Sequence, residues 1–167
     1  AAYNGRHQPA AEQLLQAATS PADLRLVVDR YALTRAGQLA ASRLIQIYWD
    51  YGELASAAAL ADRMASLLPA ASERKPLLLA QAGIAWHLAG NTGRAQLILQ
   101  MLKRDYPQAT GLLAGKEQLL AAALEQACQV APPEDTPPGA WPSYGGTPDR
   151  AAVPDFKGRS DALLFSI

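Results

Sequence analysis

The sequence predicts an all-α fold: an α-solenoid of about three helical hairpins plus a C-terminal capping helix over residues 1–130, a Pro-rich linker over 131–140 and an extended Pro- and Gly-rich tail over 141–167. Three observations lead there. The stretch from Leu44 to Pro69 returns as Ala82 to Pro107, with Gly52 and Gly90, Ala57 and Ala95, and Pro69 and Pro107 each 38 residues apart. A period in the thirties with two helical halves marks stacked helix-turn-helix units, each leaning only on its neighbours. Ala and Leu recur at helical spacing up to about residue 130, and at Ala131 the chain turns abruptly to APPEDTPPGA, which reads as an extended spacer.

The elements follow in order. A first helix is predicted from Ala10 to Ala18, stopping at Thr19-Ser20-Pro21, where Ser20 is placed to cap the next helix and Pro21 to occupy its first turn. The second, Ala22 to Tyr31, sets Leu24, Val27, Val28 and Tyr31 on one side. Gly37–Tyr51 and Leu54–Leu68 form the third and fourth, parted by Gly52-Glu53, where glycine supplies the left-handed helix end. Pro76–Ala89 and Thr92–Asp105 form the fifth and sixth, parted by Gly90-Asn91; Ser72-Glu73-Arg74-Lys75 reads as an insertion in the connection between the pairs. The seventh, Lys116 to Val130, is apolar along Leu119, Leu120, Ala123, Leu124 and Ala127, as a helix that covers a solenoid end must be. No sheet is expected before residue 130, and the apolar run Ala162–Ile167 reads as a strand.

Composition narrows the function. Fifteen Lys and Arg balance fifteen Asp and Glu, so no field draws in nucleic acid or anionic lipid. No apolar run approaches the roughly 18 residues that insert in a bilayer. The N-terminus AAYNGRHQPAAE lacks the basic-then-apolar order of a secretory signal, which by itself assigns no compartment. Cys128 is the single cysteine and reads as a small buried apolar residue. With only His7 and His87, a zinc site or a Ser-His-Asp arrangement lacks parts, so no catalytic residue, metal or cofactor is expected. The string from Gly111 to Glu117 is one residue short of a phosphate loop and has Glu where Ser or Thr holds magnesium, so it reads as a turn. Glu134 and Asp135 fall in the linker, where water keeps both ionised.

The two units resemble tetratricopeptide repeats, carried by Leu44, Tyr48, Gly52, Ala57 and Pro69 in one and by Gly83, Trp86, Gly90, Ala95 and Pro107 in the other. The match covers roughly residues 38–109, and Ile45, Ala61 and Met64 depart from the family pattern, Ile45 standing where glycine is frequent. Gly83, Ala57 and Ala95 are expected where helices approach closely, and Tyr48 and Trp86 as knobs between an inner helix and the outer helix beside it. The resemblance implies a groove along the inner helices that holds a protein or peptide. By position that groove comprises Ser42, Gln46, Trp49, Asp50, Leu77, Ala80, Ile84 and His87, with Trp49 as anchor. The opposing reading has Trp49 and His87 covered by a neighbouring unit or by the tail. The Lys, Asn and Arg of the carboxylate-clamping variant are missing from these places.

A second resemblance covers about ten residues: Trp141-Pro142-Ser143-Tyr144-Gly145-Gly146-Thr147-Pro148-Asp149-Arg150 looks like the entry to a bacterial β-propeller of the pyrroloquinoline-quinone type. It implies a helical module of a larger bacterial envelope protein, periplasmic or envelope-bound, with a cytoplasmic home left open. Trp141 and Tyr144 are either an anchor packed back onto a fold or an exposed contact patch. The function read from the chain is a non-enzymatic protein-protein interaction module, or scaffold, of that protein. The alternatives are the docking arm of a propeller quinoprotein and a rigid spacer; the oligomeric state stays open.

Overall fold

The computed structural model describes residues 2–113 and 115–131, and there the chain is all-α apart from one small hairpin. The helices among the described residues are α1 Ala2–Ala17, α2 Pro21–Tyr31, α3 Arg35–Asp50, α4 Leu54–Leu67, α5 Arg74–Leu88, α6 Thr92–Asp105 and α7 Leu120–Gln129, with strands β1 Thr110–Leu113 and β2 Lys116–Leu119 before the last.

Local chemistry explains the starts. At α2, Ser20 Oγ accepts from the Asp23 N–H at 3.2 Å while the Asp23 carboxylate accepts from the Ser20 N–H at 2.9 Å, a reciprocal capping box. Bonds from the Ser20 hydroxyl, then from the Thr19 and Ser20 N–H groups, hold the Asp23 carboxyl below its ordinary range. Thr34, fully buried, caps α3 by accepting the Gly37 N–H at 3.0 Å. A side chain on Gly37 is excluded, since its Cβ would lie 1.8 Å from the Tyr31 carbonyl oxygen.

The 38-residue repeat is a repeat of geometry. After α3, the Glu53 N–H bonds the Tyr48 carbonyl at 2.8 Å and the Gly52 N–H the Trp49 carbonyl at 3.0 Å; after α5, Asn91 bonds Trp86 at 2.8 Å and Gly90 bonds His87 at 2.9 Å. Both are Schellman ends, and both need the left-handed glycine, at φ 72° for Gly52 and 82° for Gly90. Tyr48 and Trp86 sit half-buried against the core as expected. The Tyr48 hydroxyl accepts from Arg25 on α2 at 3.0 Å, whereas the buried Trp86 indole N–H has no hydrogen-bond partner among the described residues.

Four boundaries differ from expectation. α1 begins upstream of Pro9, and Gln8 on that added turn accepts the backbone N–H of Arg35, one of the unpaired donors at the start of α3. α3 starts at Arg35 and α5 at Arg74, so half of the Ser72–Lys75 insertion is helical. The largest correction concerns α7, which starts at Leu120 rather than Lys116, because residues 110–119 form an antiparallel hairpin turning at Gly115, φ 74°. Its inner face presses on the helices: a Cβ at Gly111 would sit 2.9 Å from Leu120 and 3.2 Å from Leu77, and Leu113 is buried. That tertiary burial outweighs the helix propensity of Lys116-Glu117-Gln118.

Each helix packs on the next helix in the chain, and one continuous core runs from Ala11 to Leu124. Ion pairs Asp29–Arg63 (2.8 Å), Asp62–Arg94 (2.6 Å) and Lys103–Glu125 (2.6 Å) link α2, α4, α6 and α7 in sequence. Being largely exposed, each contributes at most about 1 kcal/mol and serves register more than stability. The linker beyond Ala131, Glu134, Asp135, Trp141, Tyr144 and the run Ala162–Ile167 lie outside the described residues.

Candidate docking cleft

Along the odd-numbered helices, neighbours come together at two places and part at a third. α1 meets α3 and α5 meets α7, but α3 and α5 make no comparable pairing. At the α5–α7 approach the contact residue is Gly83, where even a Cβ would stand 2.5 Å from Leu124 Cδ2. The residue 38 positions earlier, on α3, is Ile45, and its side chain occupies the space into which a neighbouring helix would have to move. A branched side chain in place of glycine keeps two helices apart by overpacking.

The result is a cleft of about 220 Å³ between α3 and α5. Ala41, Ile45 and Trp49 line it from α3, Leu77 and Leu78 from α5, Met64 of α4 and Leu68 just beyond it form the buried floor, and Leu112 of β1 stands at the rim. Polar lining comes from Gln38, Ser42, Gln46, Gln81 and Arg74. The Ser42 hydroxyl is turned onto the Gln38 carbonyl at 3.1 Å, and Arg74 donates to the Gln38 side-chain oxygen at 3.3 Å across the mouth. Among the described residues, Arg74 is the one charged side chain of the lining, and no carboxylate of the lining faces it. The connection that spaces the two helices is pinned at both ends: Lys75 Nζ donates to the Leu68 carbonyl at 2.9 Å and the Tyr106 hydroxyl to the Ala70 carbonyl at 3.1 Å.

Of the eight groove residues expected from sequence, the structure brings Ser42, Gln46, Trp49 and Leu77 together in this cleft. Asp50 lies exposed beyond its end, accepting from Gln46 Nε2 at 2.9 Å. Ala80, Ile84 and His87 are buried and do not line the cleft. His87 Nε2 bonds the Val130 carbonyl at 2.7 Å, which fixes the end of α7 against α5. The tightest of these contacts thus ties two helices of the same chain. Ile45, Met64, Leu68, Arg74, Leu78 and Leu112 were not among the expected residues. Ile45 and the Ser72–Lys75 insertion were visible departures from the repeat, and Ile45 and Arg74 both line the cleft.

No protein-family model, no curated protein and no solved structure matches the chain. The cleft must therefore be read from its own chemistry. Among the described residues no group of three His, Cys, Asp or Glu side chains converges, and no helix is long and apolar enough to cross a membrane. The string from Gly111 to Glu117 is the hairpin, with Lys116 and Glu117 exposed on β2. Cys128 is half-buried, and burial first, then the Glu125 carboxylate, push its thiol up, away from the reactive thiolate. His7 lies on α1 with its ring 6.2 Å from that of Tyr31.

Proposed function

We propose that this chain is a protein-interaction module of the helical-repeat type, a short solenoid similar in plan to tetratricopeptide repeats, whose docking face is the cleft between α3 and α5. The observation that carries the reading is the cleft itself: a preformed, mostly apolar trough where the odd-numbered helices α3 and α5 stand apart, with amide side chains along it. Its volume of about 220 Å³ falls short of the roughly 300 to 1,000 Å³ that drug-sized ligands occupy. It suits one or two side chains of a polypeptide better than a free metabolite, and a half-buried aromatic such as Trp49 favours that use. Nothing in the lining supplies a nucleophile with its base. Fold alone assigns no function, so the reading stands on the cleft.

A photo-crosslinking residue placed at Gln46 or Gln81, with Gln96 on the exposed side of α6 as control, tests it in cells. A defined crosslinked species from the two cleft positions, missing from the control and lost when Ser42→Leu fills the trough, supports the reading. Equal labelling at Gln96, or labelling that Ser42→Leu leaves unchanged, overturns it.

A further inference from the structure

We propose that the partner enters the cleft as an extended strand that adds to the free edge of β1, an inference that rests on the docking reading above and specifies its mode. The hairpin's register pairs Thr110 with Leu119, Gly111 with Gln118, Leu112 with Glu117 and Leu113 with Lys116. The bond from the Leu120 N–H to the Ala109 carbonyl at 2.9 Å sets the parity of the ladder. In an antiparallel pair hydrogen-bonded and non-bonded positions alternate, so 111 and 113 bond to β2. The N–H and C=O groups of Thr110 and Leu112 therefore point away from β2, toward an edge with no strand on it among the described residues.

Two features make that edge a docking edge. Leu112, and no residue of β2, lines the cleft, so the open side of the hairpin is the side at the trough. Natural sheets blunt exposed edges with charge or proline. β2 carries Lys116 and Glu117, whereas β1, Thr-Gly-Leu-Leu, carries neither device. An added strand gains main-chain bonds from the edge and specificity from alternate side chains. Here every second side chain of the partner meets the apolar trough beside Ile45, Trp49 and Leu77, and an acidic residue of the partner meets Arg74. The partner is thus an extended segment with apolar residues at alternate positions and a carboxylate toward one end.

The test uses the full chain and a phage-displayed library of peptides of about seven residues, long enough to span the trough. The expected result is enrichment of alternating apolar sequences bearing an acidic residue. N-methylation of the enriched peptide should then lower affinity about tenfold at every second residue and little between them, as loss of edge hydrogen bonds predicts. Leu112→Pro removes one free N–H without touching the β1–β2 ladder and should weaken binding by about tenfold or more, while Glu117→Pro, its counterpart on the opposite edge, should leave binding within about twofold. Circular dichroism of both variants checks that the helices are intact. Peptides that bind, are lost on Ser42→Leu and yet ignore Leu112→Pro would overturn the strand mode and leave the docking reading standing. An N-methyl profile repeating every three to four residues would replace the strand with a helix. A crosslinker at Leu112 that joins a second copy, or a segment of this same chain beyond residue 131, would also overturn the proposal. Failure of the library to enrich any cleft-dependent peptide would overturn both readings together.

Discussion

The approach of α5 to α7 and the gap between α3 and α5 are built on the same backbone plan, one repeat apart, and they end in opposite states. At the first, glycine at position 83 admits Leu124, which is fully buried. At the second, Ile45 holds the corresponding place, and the connection from α4 to α5 is pinned by Lys75 and Tyr106. One closed junction supplies stability, and the open one supplies a surface. The two junctions can differ in this way because each is set by its own local contacts.

That contrast is open to attack in several ways. Leu124→Ala empties the closed junction and should cost about 3 kcal/mol, read from urea melts, since a large side chain leaves a cavity behind; a cost near zero would mean that α7 does not depend on this contact. Gly83→Ile copies the α3 residue into α5 and should destabilise by about 2 kcal/mol through overpacking. Hydrogen exchange should then show α7 losing protection while α2 and α3 keep theirs, and uniform loss would deny that the junction acts locally.

Gly52→Ala and Gly90→Ala should each cost about 1 kcal/mol, because both residues hold left-handed backbone with open space around them. Equal costs would confirm that the two turns are one element used twice. Ser42→Leu, in the cleft, should move stability by no more than about 0.5 kcal/mol while removing crosslinking from Gln46. The smallest effect is one of pH. The Asp23 carboxyl is held below its unfolded value, so its contribution is complete above the ordinary carboxylate range and is lost as pH falls through the lowered value. Amide exchange at the first turn of α2 should accelerate in acid and stay unchanged toward neutral pH, and the opposite sign would contradict the capping box.

Much of this architecture was legible in the residues because it depends on bonds that reach only a few positions along the chain. The Ser20 cap and the glycine ends at 52 and 90 belong to that class. The hairpin was not legible, since Thr110-Gly-Leu-Leu and Lys116-Glu117-Gln118-Leu119 carry no strong strand pattern, and their pairing is decided by what lies beneath Gly111 and Leu113. The burial of Ala80, Ile84 and His87, which positions carried over from a regular repeat place along the groove, was not legible either, because it depends on what packs against α5.

The sequence by itself determined the helices, their caps and the 38-residue rhythm, because backbone hydrogen bonds and left-handed glycines act within a turn or two. Which alternate helices touch, which side chains border the cleft, and where β1 lies were decided only by the tertiary structure. Those outcomes depend on the bulk of residues far apart in the chain, Ile45 against Gly83 above all, meeting at contacts that no local spacing records.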